Sequence, residues 1–129
     1  MSHLTEAQLS TIEQRLSERQ SELRDRVRAA KESAAERPSA QAQVEDLAEE
    51  GEQRFRAGME HVELMRDQEE LALVAEARER VASGRYGECV DCGQPISFER
   101  LAAQPTAKRC LTDQEAWEKK HGMALRFSA

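Results

Sequence analysis

Residues 4 to 36 contain neither glycine nor proline, and this run restricts the chain more than any other feature in it. Leu9, Ile12, Leu16, Leu23, Val27 and Ala30 recur within it at spacings of three, four and seven, the repeat of one helix face. The stripe is thin and is interrupted at Arg19 and Gln20. It therefore suits a seam between two helices better than a core helix buried all round. Glu22 and Arg26 stand one turn apart and add a small stabilising pair. At 1.5 Å per residue, a ~33-residue helix runs about 50 Å, and a stripe of that length needs a partner of similar length.

The next segment supplies one. Glu36-Arg37-Pro38-Ser39 breaks the pattern, because proline disfavours helix at the residue before it. Ser39 is placed to cap a second helix from about 40 to 83. Ala42 stands three residues on, so the reciprocal half of a capping box is missing. Val44, Leu47, Phe55, Met59, Val62, Met65, Leu73, Ala77 and Val81 are expected to mark its apolar side, and Gly84 to end it. Gly51 and Gly58 each weaken a helix interior by roughly 1 kcal/mol relative to alanine. Two helices joined by so short a turn lie antiparallel. The expectation is a rod with a tip near residues 37–50. That tip is acidic: Glu45, Asp46, Glu49, Glu50 and Glu52 precede the first basic residue of the helix, Arg54. The helix dipole favours one or two carboxylates in a first turn but fades before five are accounted for.

Composition agrees with exposed helices. Of 129 residues, 34% are charged and only 4% aromatic, too few large apolar groups for a compact globule of this length. The net charge of −6 argues against holding DNA or an anionic membrane by bulk electrostatics. No apolar run approaches the ~20 residues of a membrane span, and Met1-Ser2-His3-Leu4-Thr5 does not open a secretory leader. Three cysteines, two of them as Cys-x-x-Cys, fit metal or redox chemistry in a reducing cytoplasm better than a disulfide framework.

From Gly84 the chain changes character. Cys89-Val90-Asp91-Cys92-Gly93 is a knuckle in which two thiolates can reach one ion from a tight turn. Cys110 follows after a gap of 17 residues, close to the spacing of four-cysteine zinc sites. The fourth position of that pattern holds Asp113, not cysteine. A site of three thiolates and one carboxylate is chemically sound, since zinc accepts oxygen at about 2.0–2.2 Å. Three alternatives stand beside it. Asp113 is also the first-turn carboxylate of a helix over about 112–121, with Thr112 and Glu115 as its capping box and Trp117 as its packing residue. His121 is another donor, a dozen residues on. A metal-free finger would bury the cysteines as small apolar groups.

Tyr86-Gly87-Glu88-Cys89-Val90-Asp91-Cys92-Gly93-Gln94-Pro95-Ile96, then Arg100-Leu101-Ala102-Ala103-Gln104-Pro105-Thr106-Ala107-Lys108-Arg109-Cys110, closely resembles the signature of the DksA/TraR zinc-finger family. About 30 residues carry the match directly, and the preceding hairpin agrees in length and placement. The resemblance implies a mainly α fold: an antiparallel coiled-coil hairpin over 1–83, then a small zinc-finger-like domain with a terminal helix over 84–129. It implies Zn2+ on Cys89, Cys92 and Cys110, with Asp113 the candidate fourth ligand where this chain departs from the four-cysteine pattern, and no enzymatic activity. Family members bind bacterial RNA polymerase rather than DNA, insert the hairpin through the secondary channel, and alter promoter-complex lifetime. Their tip motif, Asp-x-x-Asp-x-Ala, corresponds here to Asp46-Leu47-Ala48-Glu49-Glu50-Gly51, so Asp46 and Glu49 are the expected acting residues. Longer members work with guanosine tetraphosphate held by cationic side chains. The corresponding positions here are Arg66, Leu73, Gln104 and Gln114, of which only Arg66 is charged. Lys108 and Arg109 lie nearby in sequence at positions that do not match. Little alarmone dependence is expected, and a cytoplasmic monomer.

Two other classes compete. A Gre-like transcript-cleavage factor would use Asp46 and Glu49, one helical turn apart, to hold Mg2+ and activate water, but it should lack the knuckle and carry a strand-rich C-terminal domain. A thiol switch would pair Cys89 with Cys92 and resolve through Cys110, yet such motifs usually open a helix in a βαβ setting.

Overall fold

Thr5 and Gln8 start the first long helix together. Thr5 Oγ1 accepts from the Gln8 backbone N–H at 3.0 Å and Gln8 Oε1 accepts from the Thr5 N–H at 3.0 Å, a capping box that satisfies two backbone donors at once. The computed structural model describes residues 3–35 and 47–122, with the backbone alone over 47–49. Four helices follow in order: α1 (Glu6–Ala35), α2 (Leu47–Ala82), α3 (Phe98–Ala103) and α4 (Leu111–His121). Mainly helical character is as expected. Pro38 and Ser39 lie outside the described residues, so the expected start of the second helix does too. Among the described helices none is long and apolar enough to cross a membrane.

The chain divides into two compact units. One spans Arg19–Leu73 and is built from the later part of α1 and the earlier part of α2. Leu23 and Val27 are buried here, as the α1 stripe requires, and Gln20, a turn before them, is buried too. The helices run antiparallel, since Arg19 pairs with Glu70 and Arg26, further along α1, with Asp67. The Arg19–Glu70 pair is two-pronged: Nε donates to Oε2 at 2.6 Å and a terminal amine to Oε1 at 2.8 Å, the fork geometry that suits a guanidinium to a carboxylate.

Up to residue 73 the face of α2 that packs differs from the expected one, whereas Ala77 is buried and Val81 partly covered as expected. Phe55, Met59, Val62, Met65 and Leu73 are exposed. Ala57, Leu64, Asp67, Gln68, Glu70 and Leu71 are partly covered, and Val74 and Ala77 are buried. Apolar residues occupy both sides of this helix, so periodicity alone does not choose between them. The cations of α1 do, because Arg19 and Arg26 draw Glu70 and Asp67, and with them the Leu64–Leu71 side, toward α1.

The other unit joins the first part of α1 to the last part of α2 and everything after it. Its core is Leu4, Ile12, Leu16, Val74, Ala77, Tyr86, Cys89, Ile96, Leu101 and Ala107. α2 stops two residues before Gly84, and the amides of Arg85 and Tyr86 both donate back to the Arg80 carbonyl, at 2.9 and 3.1 Å. Polar links fasten the helices to the finger. His3 Nε2 meets the Ile96 carbonyl, Arg15 donates to the Ala102 carbonyl, and Lys108 Nζ pairs with Glu76 at 3.2 Å. Tyr86 Oη donates to the Pro105 carbonyl at 2.7 Å. Burial pushes this phenol up to about 12. Gly87 has φ of +90° and is packed against the N-terminal segment: a Cβ there would stand 3.0 Å from His3 Cε1 and 3.3 Å from Leu4 Cδ1. Any other residue meets both the left-handed backbone penalty and that contact.

A candidate metal centre on three cysteines and one aspartate

The knuckle is held by main-chain bonds. Glu88 and Pro95 form an isolated antiparallel bridge. Within it the Cys89 amide donates to the Gln94 carbonyl at 2.8 Å and the Gly93 amide to the Cys89 carbonyl at 2.9 Å. Gly93 takes φ of +76° at the point where the chain turns back. The Val90 amide donates to the Lys108 carbonyl at 2.9 Å, which brings the knuckle beside the segment leading to Cys110. Ser97 caps α3 by accepting from the Arg100 amide, and Arg100 Nε donates to the Arg109 carbonyl at 3.1 Å. Between them α3 and its cap return the chain to the knuckle.

Cys110 is the N-cap of α4. The expected cap, Thr112, lies inside the first turn, because the helix begins at Leu111. Cys110 makes no side-chain capping bond; its thiol faces Cys92 instead, with the sulfurs 3.9 Å apart. Starting the helix there puts Asp113 in the first turn, where its Oδ2 lies 3.1 Å from the Cys89 sulfur. One ligand atom from each of Cys89, Cys92, Cys110 and Asp113 falls within 4.8 Å of every other. His121 is elsewhere, stacked on Trp117 with ring centroids 4.2 Å apart. Trp117 is only partly covered and no residue of α4 is fully buried, so it is a weaker anchor than expected; the Arg109 guanidinium lies 4.9 Å from its ring centre.

The electrostatics centre on Asp113. Hydrogen bonds from Cys92, then Cys89 and Cys110, hold its carboxyl below the usual range. The same carboxylate pushes the Cys92 thiol up to about 12. Burial raises the Cys89 thiol, but the backbone N–H groups of Cys92, Cys110 and Asp91 more than offset this and leave it lowered. Arg109 Nε pairs with Asp91 at 2.8 Å beside the knuckle, a brace that cysteine spacing does not reveal. The donor set fits a tetrahedral zinc. Zn–S bonds of about 2.3 Å imply sulfur–sulfur edges of ~3.8 Å, close to the 3.9 Å between Cys92 and Cys110. Cysteine-rich sites with one oxygen donor suit zinc better than magnesium or calcium, which prefer all-oxygen shells.

The expected tip residues are not among these. Asp46 lies outside the described residues; Glu49 lies on α2, with its side chain outside them. Nearby Glu50 and Glu52 pair with Arg54 and Arg56 one turn on.

Comparison with known proteins bears on the whole arrangement. Residues 84–115 match the model of the prokaryotic DksA/TraR C4-type zinc finger. The structure of transcription factor DksA2 from Pseudomonas aeruginosa superposes with a TM-score of 0.74 at 32% identity, over 92% of this chain and 89% of that one. The chain belongs to the DksA/TraR family. A protein named RNA polymerase-binding transcription factor DksA, from Caulobacter vibrioides, is 38% identical over 50 residues, 39% of this chain and 35% of its own length. The match thus spans about a third of that curated relative. An uncharacterized protein of Haemophilus influenzae is 38% identical over 58 residues, 45% of this chain and 67% of its own. The family's finger is of the four-cysteine type, and this member presents an aspartate in the fourth place.

Proposed function

We propose that this chain regulates transcription by binding bacterial RNA polymerase directly, with no DNA contact of its own and no catalytic activity. It acts in the cytoplasm as a monomer. The helical pair enters the secondary channel and its acidic tip, Asp46 with Glu49, alters promoter-complex stability. The finger is structural: Cys89, Cys92, Cys110 and Asp113 hold one Zn2+. Bound there, the ion supplies cross-linking rather than chemistry, since four protein ligands leave no open position for a substrate.

The observation that carries this reading is the similarity to the transcription factor DksA2 over nearly the whole chain, beside a finger whose four donor atoms cluster. A Gre-like role fits less well, because the described C-terminal residues hold one isolated bridge and no strand. The action is largely independent of guanosine tetraphosphate. Lys108 and Arg109, cations near the finger's unmatched positions in sequence, are each committed to an internal ion pair. Co-purification with RNA polymerase, followed by promoter-complex lifetime with and without the protein, tests the reading. Failure to retain polymerase overturns it.

A further inference from the structure

The side of α2 turned away from α1 carries a second seam. Gly51, Phe55, Gly58, Val62 and Met65 follow one another at spacings of four, three, four and three, the repeat of a coiled-coil interface. Each of Phe55, Val62 and Met65 stands two residues before Ala57, Leu64 and Asp67 of the packing side. Two residues are about 200° round a helix, so the two seams lie back to back. On the outer one Phe55 is 69% exposed, Met65 54% and Val62 50%. A Cβ added at Gly51 or Gly58 would meet nothing within 4 Å. The helix therefore carries two destabilising glycines on a face that no described part of the chain covers.

We propose that this face pairs with the same face of a second copy, antiparallel. The charges beside the seam select that occupant and its register. Antiparallel pairing sets Phe55 against Met65 of the other copy, and Val62 over the gap at Gly58. The flanking positions then bring Glu52 beside Arg66 of the second copy, twice by symmetry. Opposite charges at such flanking positions set partner choice and orientation in coiled coils. Both side chains are exposed and therefore available, Glu52 needing only to exchange its intrahelical partner Arg56. A seam of this length buries less than the ~1,200–2,000 Å² of a stable interface, so the association is weak and rises with concentration. The pairing is independent of the polymerase reading, and the dilute monomer is the form assigned there.

Sedimentation velocity of the full chain over a hundredfold concentration range tests it. The weight-average coefficient is expected to climb toward that of a dimer. Glu52→Arg sets like charges together at both flanks and should weaken association about tenfold, roughly 1.4 kcal/mol. Adding Arg66→Glu should restore it, which a merely structural effect of either change would not do. Phe55→Ser should abolish it with helix content unchanged. A chain that stays monomeric throughout overturns the proposal, as does a double charge reversal that restores nothing. If Phe55→Ser instead weakens polymerase retention and leaves the sedimentation profile unchanged, the face belongs to the polymerase and the proposal is likewise overturned.

Discussion

Asp113 Oδ2 lies 3.1 Å from the sulfur of Cys89, although 24 residues separate them in the chain and one sits on a knuckle, the other on a helix. That contact places the carboxylate within reach of an ion held by the three cysteines, and under the proposed function it is the fourth ligand. Asp113→Ala should lower zinc affinity by more than the ~10–100-fold that loss of a ligand's supporting partner costs. Asp113→Cys should keep or raise it. Metal content of freshly purified protein, with competition against a chelator, measures both; an Ala variant that retains full zinc removes Asp113 from the site.

Cys89 is buried and joins the finger's core to its donors. Cys89→Ser should cost more than the exposed Cys92→Ser, because it leaves a poorly matched hydroxyl in the core as well as removing a thiolate. Thermal melting with and without chelator separates the two contributions. Equal melting temperatures for wild type and Cys89→Ser, at equal zinc content, would show that the finger does not depend on this ligand.

The Arg19–Glu70 pair gives unit Arg19–Leu73 a defined pH response. The Arg19 guanidinium holds the Glu70 carboxyl below its ordinary value despite partial burial. A depressed carboxyl stabilises the fold above the unfolded-state value, about 4.3, and that contribution is lost as pH falls through the folded value. Both side chains are more than a third exposed, so solvent screening limits the pair to about 1 kcal/mol or less. Glu70→Gln should lower the melting temperature at neutral pH, and its difference from wild type should shrink as pH falls and Glu70 becomes protonated in the folded state. A difference that persists at low pH would point to packing instead.

Under the proposed function, Asp46→Asn should abolish the effect on promoter-complex decay while polymerase binding changes by less than a few fold, with Glu49→Gln weaker in the same direction. An Asp46→Asn protein that regulates normally removes the tip from the mechanism.

Alarmone synergy should be slight. Promoter-complex lifetime across a guanosine tetraphosphate titration should show additive effects of protein and alarmone, and a strongly greater-than-additive response would show that cations other than Lys108 and Arg109 complete a site.

Much of this was legible in the residues themselves. The glycine- and proline-free run from 4 to 36 dictates α1, because backbone propensity and a single stripe leave no other regular structure, and Ile12, Leu16, Leu23 and Val27 are buried where that stripe puts them. Spacing alone groups Cys89, Cys92, Cys110 and Asp113, and the family resemblance singles out the three cysteines. The start of α1 is also carried by the sequence, as the Thr-x-x-Gln capping box of Thr5 and Gln8 ahead of the apolar stripe. The packing side of α2 was not: with Phe55, Val62 and Met65 on one side and Leu64, Leu71 and Val74 on the other, periodicity permits both, and the long-range pairs to Arg19 and Arg26 decide. Tertiary structure also decided that α4 starts at Leu111, since Cys110 turns its thiol to the cluster and Thr112 falls inside the first turn. Spacing can bring donors into one neighbourhood; only the bridge at Glu88–Pro95 and the Val90–Lys108 bond bring four ligand atoms within 4.8 Å of one another, because that distance depends on where two separate segments cross.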